Sequence, residues 1–138
     1  MQPVFAFACR MRGIEHETIY NMPTASKAKA EYLLDVQDCY PDAKYTDVRV
    51  RKLGGPHTSD AFRRNAKYRG MPTVECGQRV FIEGWAGTIV GHNDSANFDV
   101  LMDPGSPYGD GILNAHPCDL TLPANVIWTN RPARDKLA

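Results

Sequence analysis

The sequence lacks the features that mark a membrane-spanning or secreted protein. No apolar run approaches the roughly 18 residues that are needed to cross a bilayer. No basic segment precedes the apolar residues of the amino terminus, MQPVFAFACRMRG. A hydrophobic content of 43% with 23% charged residues is that of an ordinary globular chain. We therefore expect a folded, cytoplasmic protein that makes no membrane contact.

The sequence has few cysteines, and they are not arranged as pairs. Cys9, Cys39, Cys76 and Cys118 lie far apart along the chain, and no CxxC motif occurs. This spacing favours reduced thiols over a disulfide framework. We expect Cys9, in an apolar strand, and Cys39, at a helix end, to be structural.

Motifs typical of catalysis or metal binding are absent as well. Zinc would need three or four ligands in a tetrahedron, and the spacing of Cys76, His92, Asp94, His116 and Cys118 does not enforce one. No glycine loop for phosphate, nucleophile elbow or paired-carboxylate motif can be argued from spacing. We predict no catalytic residue, no metal and no cofactor, and a small enzyme or zinc-binding protein is the last alternative.

The net charge of the chain is zero, but positive and negative residues are unevenly distributed between its two halves. Residues 1–70 hold 12 Lys and Arg against 8 Asp and Glu, a net of +4, and residues 71–138 hold 4 against 8, a net of −4. Such a pattern can dock one part of the molecule on another, or on a second copy, as readily as it attracts nucleic acid.

The stretch from Arg79 to Asp119 contains short apolar alternations separated by turn-forming residues. Breaks at Glu83-Gly84, at His92 to Ser95 and at Asp103 to Gly105 are spaced like the turns of a small meander. A sheet this short hides its apolar face best by curling on itself. We predict a small five-stranded barrel over residues 73–122.

Residues 1–72 are predicted to form a β-α-β-α unit packed against that barrel. The apolar run Val4 to Met11 indicates a strand covered on both faces, and residues 12–22 show no clear period, so we expect a loop there. A helix is predicted from Thr24 to Tyr40. A half-exposed strand follows over Tyr45 to Leu53, and a second helix ends at Arg69. The fold class is therefore α+β.

Residues 123–138 are predicted to form an extended arm with a frayed, charged end. The apolar triplet Val126, Ile127 and Trp128 favours contact with the fold or with a second copy of the chain. A homodimer through this arm is therefore one expectation.

Two resemblances accompany these patterns. The segment RVFIEGWAGTIVG, with glycines at 84, 87 and 91, resembles the SH3-like and KOW type of small barrel. The preceding part, with its SKAKAEYLLD helix, TDVRVRK strand and FRRNAKYRG helix, resembles small uncharacterised proteins of bacteriophages and prophages. This second resemblance implies an accessory phage protein of the host cytoplasm and assigns no catalytic residue.

A basic strand-helix face is one candidate binding surface. Residues 44–70 hold eight Lys and Arg against Asp47 and Asp60, with Tyr45 and Tyr68 among them. Arginines with neighbouring aromatics can hold phosphates and stack bases, whereas a solvated face or a face paired with the acidic barrel is the alternative. The candidate nucleic-acid-binding residues are Arg49, Arg51, Lys52, Arg63, Arg64, Lys67 and Arg69.

Aromatic residues on the barrel turns are the other candidate surface. Trp85 lies at a predicted turn and Tyr108 lies in a glycine-rich loop, with Phe98 and Met102 as expected neighbours. Aromatic residues held on turns make good contact anchors. The sequence thus favours a non-enzymatic accessory protein that binds a host or phage protein, and nucleic-acid binding is the first alternative.

Overall fold

A computed structural model describes residues 3–109 and 111–122, which form a mixed α+β structure. Two α-helices and two antiparallel sheets, one of three and one of five strands, make up the described part. The chain divides into two compact units between His57 and Thr58. No helix within the described ranges is long and apolar enough to span a membrane. The predicted arm and its dimer contact lie outside the described residues.

The first unit is a three-stranded sheet with one helix. Its strands are β1 (Phe5–Met11), β2 (Thr18–Met22) and β3 (Val48–Gly54), in the order β2-β1-β3, and both pairings are antiparallel. Helix α1 (Ala25–Val36) connects β2 to β3. The hydroxyl of Thr24 accepts a hydrogen bond from the Lys27 amide at 3.2 Å, which caps the helix start.

The expectation of a loop over residues 12–22 is wrong, because β2 occupies its second half. The residues Thr18, Ile19 and Tyr20 are β-branched or aromatic and favour strands. They pair with β1 after a short reversal at residues 12 and 13. The described unit is therefore β-β-α-β, and the expected β-α-β-α order is corrected.

The second unit contains helix α2 and a five-stranded sheet. Helix α2 (Asp60–Tyr68) precedes β4 (Arg79–Ile82), β5 (Trp85–His92), β6 (Phe98–Met102), β7 (Ile112–Ala115) and β8 (Leu120–Thr121). The sheet order is β7-β6-β5-β4-β8, so the last strand lies beside the first. The prediction of five short strands is confirmed, but no described pairing joins β7 to β8, and the sheet is not closed.

Helix α2 shares its core with the five-stranded sheet. The centroid of the Phe62 ring lies 5.6 Å from that of Phe98 and 5.8 Å from that of His92. Ala66 belongs to the same buried cluster. The hydroxyl of Ser59 accepts from the Phe62 amide at 3.0 Å and starts the helix. The structural division therefore precedes α2, whereas the sequence-based one was placed after residue 72.

One glycine of the resemblance segment is required by close packing. A Cβ atom on Gly87 would lie 2.8 Å from Val100 Cγ1 and 2.9 Å from Met102 Sδ. Both side chains belong to the buried core. The glycine thus permits β5 and β6 to approach each other while their inner residues stay packed.

Candidate anion-binding site

Helix α1 packs on one face of the three-stranded sheet, and the candidate site lies on the opposite face. The Tyr20 hydroxyl donates to the carboxylate of Asp35 on α1, and the Tyr20 ring lies edge-on to that of Tyr32 at 6.3 Å. Phe7 is directly opposite Tyr20 in the β1/β2 register. Because strand residues alternate between faces, Phe7 faces the helix and Arg10 lies on the opposite face.

Arg10 of β1 and Arg49 of β3 are direct cross-strand neighbours on the face away from α1. Both residues are exposed. The ion pairs of the described residues involve Arg51, Arg63 and Arg79, and neither Arg10 nor Arg49 takes part in one. Like charges directly opposite each other destabilise a sheet, so this arrangement is one that a bound anion would stabilise.

Arg51 is held in place on the same face by Glu17. Its Nε and Nη2 atoms donate to Glu17 Oε2 and Oε1 at 3.0 and 2.8 Å, which is a bidentate pair. The pair reaches from β3 towards β2 across the middle strand, where the opposed residue Ala8 is small. The hydrogen bond from Arg51 lowers the pKa of Glu17, with further lowering by the charges of Arg51 and Arg10. Glu17 therefore stays ionised and orients Arg51.

These arginines line two adjoining surface depressions. One, of about 300 Å³, contains Arg10, Arg49 and Arg51 with Glu17. The other, of about 520 Å³, contains Arg10, Arg49 and Arg12. The two share Arg10 and Arg49. We call the combined feature the arginine groove; its lining carries four arginines and a single carboxylate.

Of the strand residues predicted to bind nucleic acid, two lie in the arginine groove and one does not. Arg49 and Arg51 line the groove. Lys52 lies on the other face of β3, with its Nζ atom 3.7 Å from the centroid of the Phe5 ring. Lys52 thus makes a cation–π contact on the opposite face of the sheet and does not line the arginine groove.

Four of the predicted residues lie on α2 or directly after it, and two of these four have local partners. Arg63 pairs with Glu75 at 3.2 Å. Arg69 donates to the backbone oxygens of Ser95 and Ala96 at 2.8 and 3.3 Å, which fixes the β5–β6 turn. We therefore interpret Arg69 as a structural residue.

The remaining two, Arg64 and Lys67, are exposed and form no ion pair with another described residue. They belong to the second compact unit, whereas Arg49 and Arg51 belong to the first. The predicted strand-helix face therefore combines residues of two different compact units.

Sequence reasoning missed Arg10 and Arg12. Both lie in or just after a run that was predicted to be covered on both faces, and both are exposed. Their alternate spacing in CRMR would place both on one side of a continuous strand, although Arg12 lies just past the end of β1. The position of Arg49 directly opposite Arg10 follows only from the β1/β3 register, which the sequence does not show.

Known proteins add no family assignment to this geometry. No family model, curated protein or solved structure matches the chain. The SH3-like and phage resemblances stay predictions, and the functional interpretation depends on the arrangement of the residues themselves.

The predicted protein-contact residues divide into two buried and two more accessible ones. Phe98 and Met102 are 0% and 2% exposed and belong to the core of the second unit, so the expectation that they contact a partner is corrected. Trp85 is 46% exposed. Tyr108 packs partly on the core, and its hydroxyl donates to Glu83 Oε2 at 2.9 Å.

The last alternative, a small enzyme or a zinc-binding protein, depends on His, Cys, Asp and Glu side chains. Among residues 3–109 and 111–122, no three His, Cys, Asp or Glu side chains gather as metal ligands would. Burial raises the pKa of the Cys9 thiol to about 11, which disfavours the nucleophilic thiolate. Cys118 Sγ lies 2.8 Å from His116 Nδ1, but the two residues are neighbours in one short 3-10 turn.

Proposed function

We propose that this protein is a non-enzymatic nucleic-acid-binding protein that holds phosphate groups in the arginine groove. The observation that supports the proposal is the direct cross-strand pairing of Arg10 and Arg49 on an exposed face, where neither has a carboxylate partner among the described residues. Glu17 is the one carboxylate of the groove and is paired with Arg51, so the four arginines keep an excess of positive charge that a nucleic acid would balance.

The chemistry and spacing of the groove favour phosphates. Guanidinium groups bind phosphate oxygens in a bidentate, planar geometry and remain charged at all relevant pH values. Arg49 and Arg51 are two residues apart on β3, a separation of about 6.6 Å along a strand, which is close to that of neighbouring phosphates in a nucleic-acid chain. Arg10 adds a guanidinium group from β1, and Arg12 adds one from the turn that follows β1. Glu17 orients Arg51 through its Nε and Nη2 atoms, so Arg51 would bind a phosphate through its remaining guanidinium N–H groups.

The five-stranded sheet forms part of the same proposal. Its strand order, with β8 beside β4 after a 3-10 turn over Pro117–Asp119, supports an SH3-like, partly open barrel. We retain the interpretation of an accessory protein of phage type that acts in the host cytoplasm. That interpretation depends on the resemblance of the quoted segments.

Binding across a salt series tests the proposal. Fluorescence anisotropy with labelled single-stranded and duplex oligonucleotides should show binding whose affinity falls steeply with salt. Three to four phosphate contacts predict a slope of log K against log salt of about −2 to −3 for a single strand. Binding of an acidic peptide but of no oligonucleotide at low salt would reject nucleic acid as the ligand.

A protein-binding surface on the second unit is the second candidate. Trp85 directly follows the two-residue turn Glu83-Gly84 and is 46% exposed. Both turn residues have positive φ, as this tight hairpin requires. Tyr108 bonds to Glu83 beside them. Rigid aromatics around a turn are good anchors for a protein partner.

The Trp85→Ala variant tests this second candidate. We expect it to lose a partner captured from host lysate by the wild-type protein, while its melting temperature falls by only a few degrees. A collapse of the melting temperature would instead identify Trp85 as a core residue. Retention of the partner by a folded variant would remove Trp85 from the contact surface.

A further inference from the structure

A third depression adjoins the arginine groove at the end of β1. It has a volume of about 470 Å³ and is lined by Met11 and Arg12, which also line the groove, and by the turn that follows α1. Tyr40 and Pro41 form part of its wall. We call it the Tyr40 pocket. Its volume lies within the range of about 300–1,000 Å³ typical of sites for small organic groups.

The Tyr40 pocket is held in shape by the turn after α1. The Tyr40 amide donates to Val36 O at 2.8 Å, and the Ala43 amide donates to Tyr40 O at 3.0 Å. The Gln37 side chain donates to the same residue's carbonyl, Ala43 O, at 3.1 Å. These bonds fix the backbone that carries Tyr40, so little backbone entropy would be lost there on binding.

The ring of Tyr40 is available to a ligand. The residue is 49% exposed. The ring–ring and cation–π contacts found among the described residues of this unit involve Tyr20, Tyr32, Tyr45 and Phe5, and not Tyr40. A planar group could therefore stack on it, as bases stack on aromatic side chains in single-strand-binding proteins.

The charges around the Tyr40 pocket differ from those of the arginine groove. Asp42 and Asp47 line the pocket together with Arg12. One oxygen of Asp47 accepts from the Lys44 amide at 2.9 Å, which fixes that carboxylate. Two carboxylates disfavour a phosphate inside the pocket, whereas a neutral base with N–H donors suits them. Phosphate is thus favoured on the arginine side and a base on the tyrosine side.

We propose that the ligand is single-stranded nucleic acid, with its phosphates in the arginine groove and one unpaired base stacked on Tyr40. This inference rests on the proposed function and names its substrate class. In a duplex the bases are paired and stacked inside the helix, so a base reaches a side pocket only after it has been extruded. A single strand should therefore bind more tightly than a duplex of equal length.

Three probes separate the base contact from the phosphate contact: a single-stranded oligonucleotide, its duplex, and an abasic strand with the same number of phosphates. Tyr40→Ala should weaken binding of the single strand by about tenfold and leave the duplex and the abasic strand unchanged. Tyr40→Phe should retain wild-type affinity, because the ring is kept. Tyr68→Ala, at an exposed tyrosine of the second unit, is the matched control and should have no effect.

The two proposals fail in different ways in this experiment. If Tyr40→Ala binds the single strand as tightly as the wild type, or if the abasic strand binds as tightly as the normal one, the base pocket is rejected and phosphate binding stands. If the wild type binds none of the three probes at low salt, the proposed function itself is rejected. A circular dichroism spectrum equal to that of the wild type is required of each variant before its affinity is compared.

Discussion

Phe62→Ala should destabilise the protein by about 3–5 kcal/mol, the cost of removing a fully buried aromatic side chain. Phe62 is 1% exposed and joins α2 to the five-stranded sheet. Its ring contacts those of Phe98 and His92. The variant loses the buried ring area and both ring contacts, and it leaves a cavity in the core. Urea denaturation followed by tryptophan fluorescence measures the change.

A second variant on the same helix provides the control for this result. Tyr68 is 76% exposed, so Tyr68→Ala should change stability by less than about 0.5 kcal/mol. If Phe62→Ala fails to fold, Phe62→Leu keeps most of the apolar volume and should lose roughly 1–2 kcal/mol. Equal stabilities of the Phe62→Ala and Tyr68→Ala variants would contradict the assignment of α2 to the core of the second unit.

The double variant Arg10→Gln/Arg49→Gln should bind nucleic acid about a hundredfold more weakly at low salt, and the slope of log K against log salt should shrink by about 1.5 for a single strand. Each substitution removes a cation and keeps a polar side chain of similar length. The two arginines repel each other across the strands, but Arg10 also attracts Glu17, so stability should change by less than about 0.5 kcal/mol. A large loss of binding without a loss of stability is expected of a site that holds an anion.

The double variant Arg64→Gln/Lys67→Gln is the matched control. It also removes two positive charges, but from exposed positions on α2. Its affinity should stay within about twofold to threefold of wild type, through the smaller net charge alone. Equal losses in the two double variants would mean that net charge, and not the arginine groove, governs binding. Unchanged binding by Arg10→Gln/Arg49→Gln would exclude the groove.

Local patterns were sufficient to predict most of the secondary structure. The short apolar alternations between Arg79 and Asp119 predicted strands that the structure contains, and the predicted second helix corresponds to α2. These features depend on neighbouring residues only, and the physical causes are side-chain alternation and unpaired helix-end amides.

The candidate site depends on contacts between distant residues, and a single sequence does not specify those. The Arg10/Arg49 pair follows from the β1/β3 register, and β2 brings Glu17 to Arg51. The sequence also does not show that Arg69 is engaged by the β5–β6 turn. Phe98 and Met102 were expected at a surface, but the inner face of β6 packs on α2 and β5 and buries them.

The position of the ligand on the protein is measured most directly by a nuclear magnetic resonance titration. The ¹⁵N-labelled full chain would be titrated with an unlabelled single-stranded oligonucleotide at low salt, and amide shifts would be followed for every assigned residue. We predict that the largest changes fall on residues 8–12, 39–43 and 49–51, and that α2 changes little. Shifts concentrated on residues 62–69, with the arginine groove unaffected, would contradict this account.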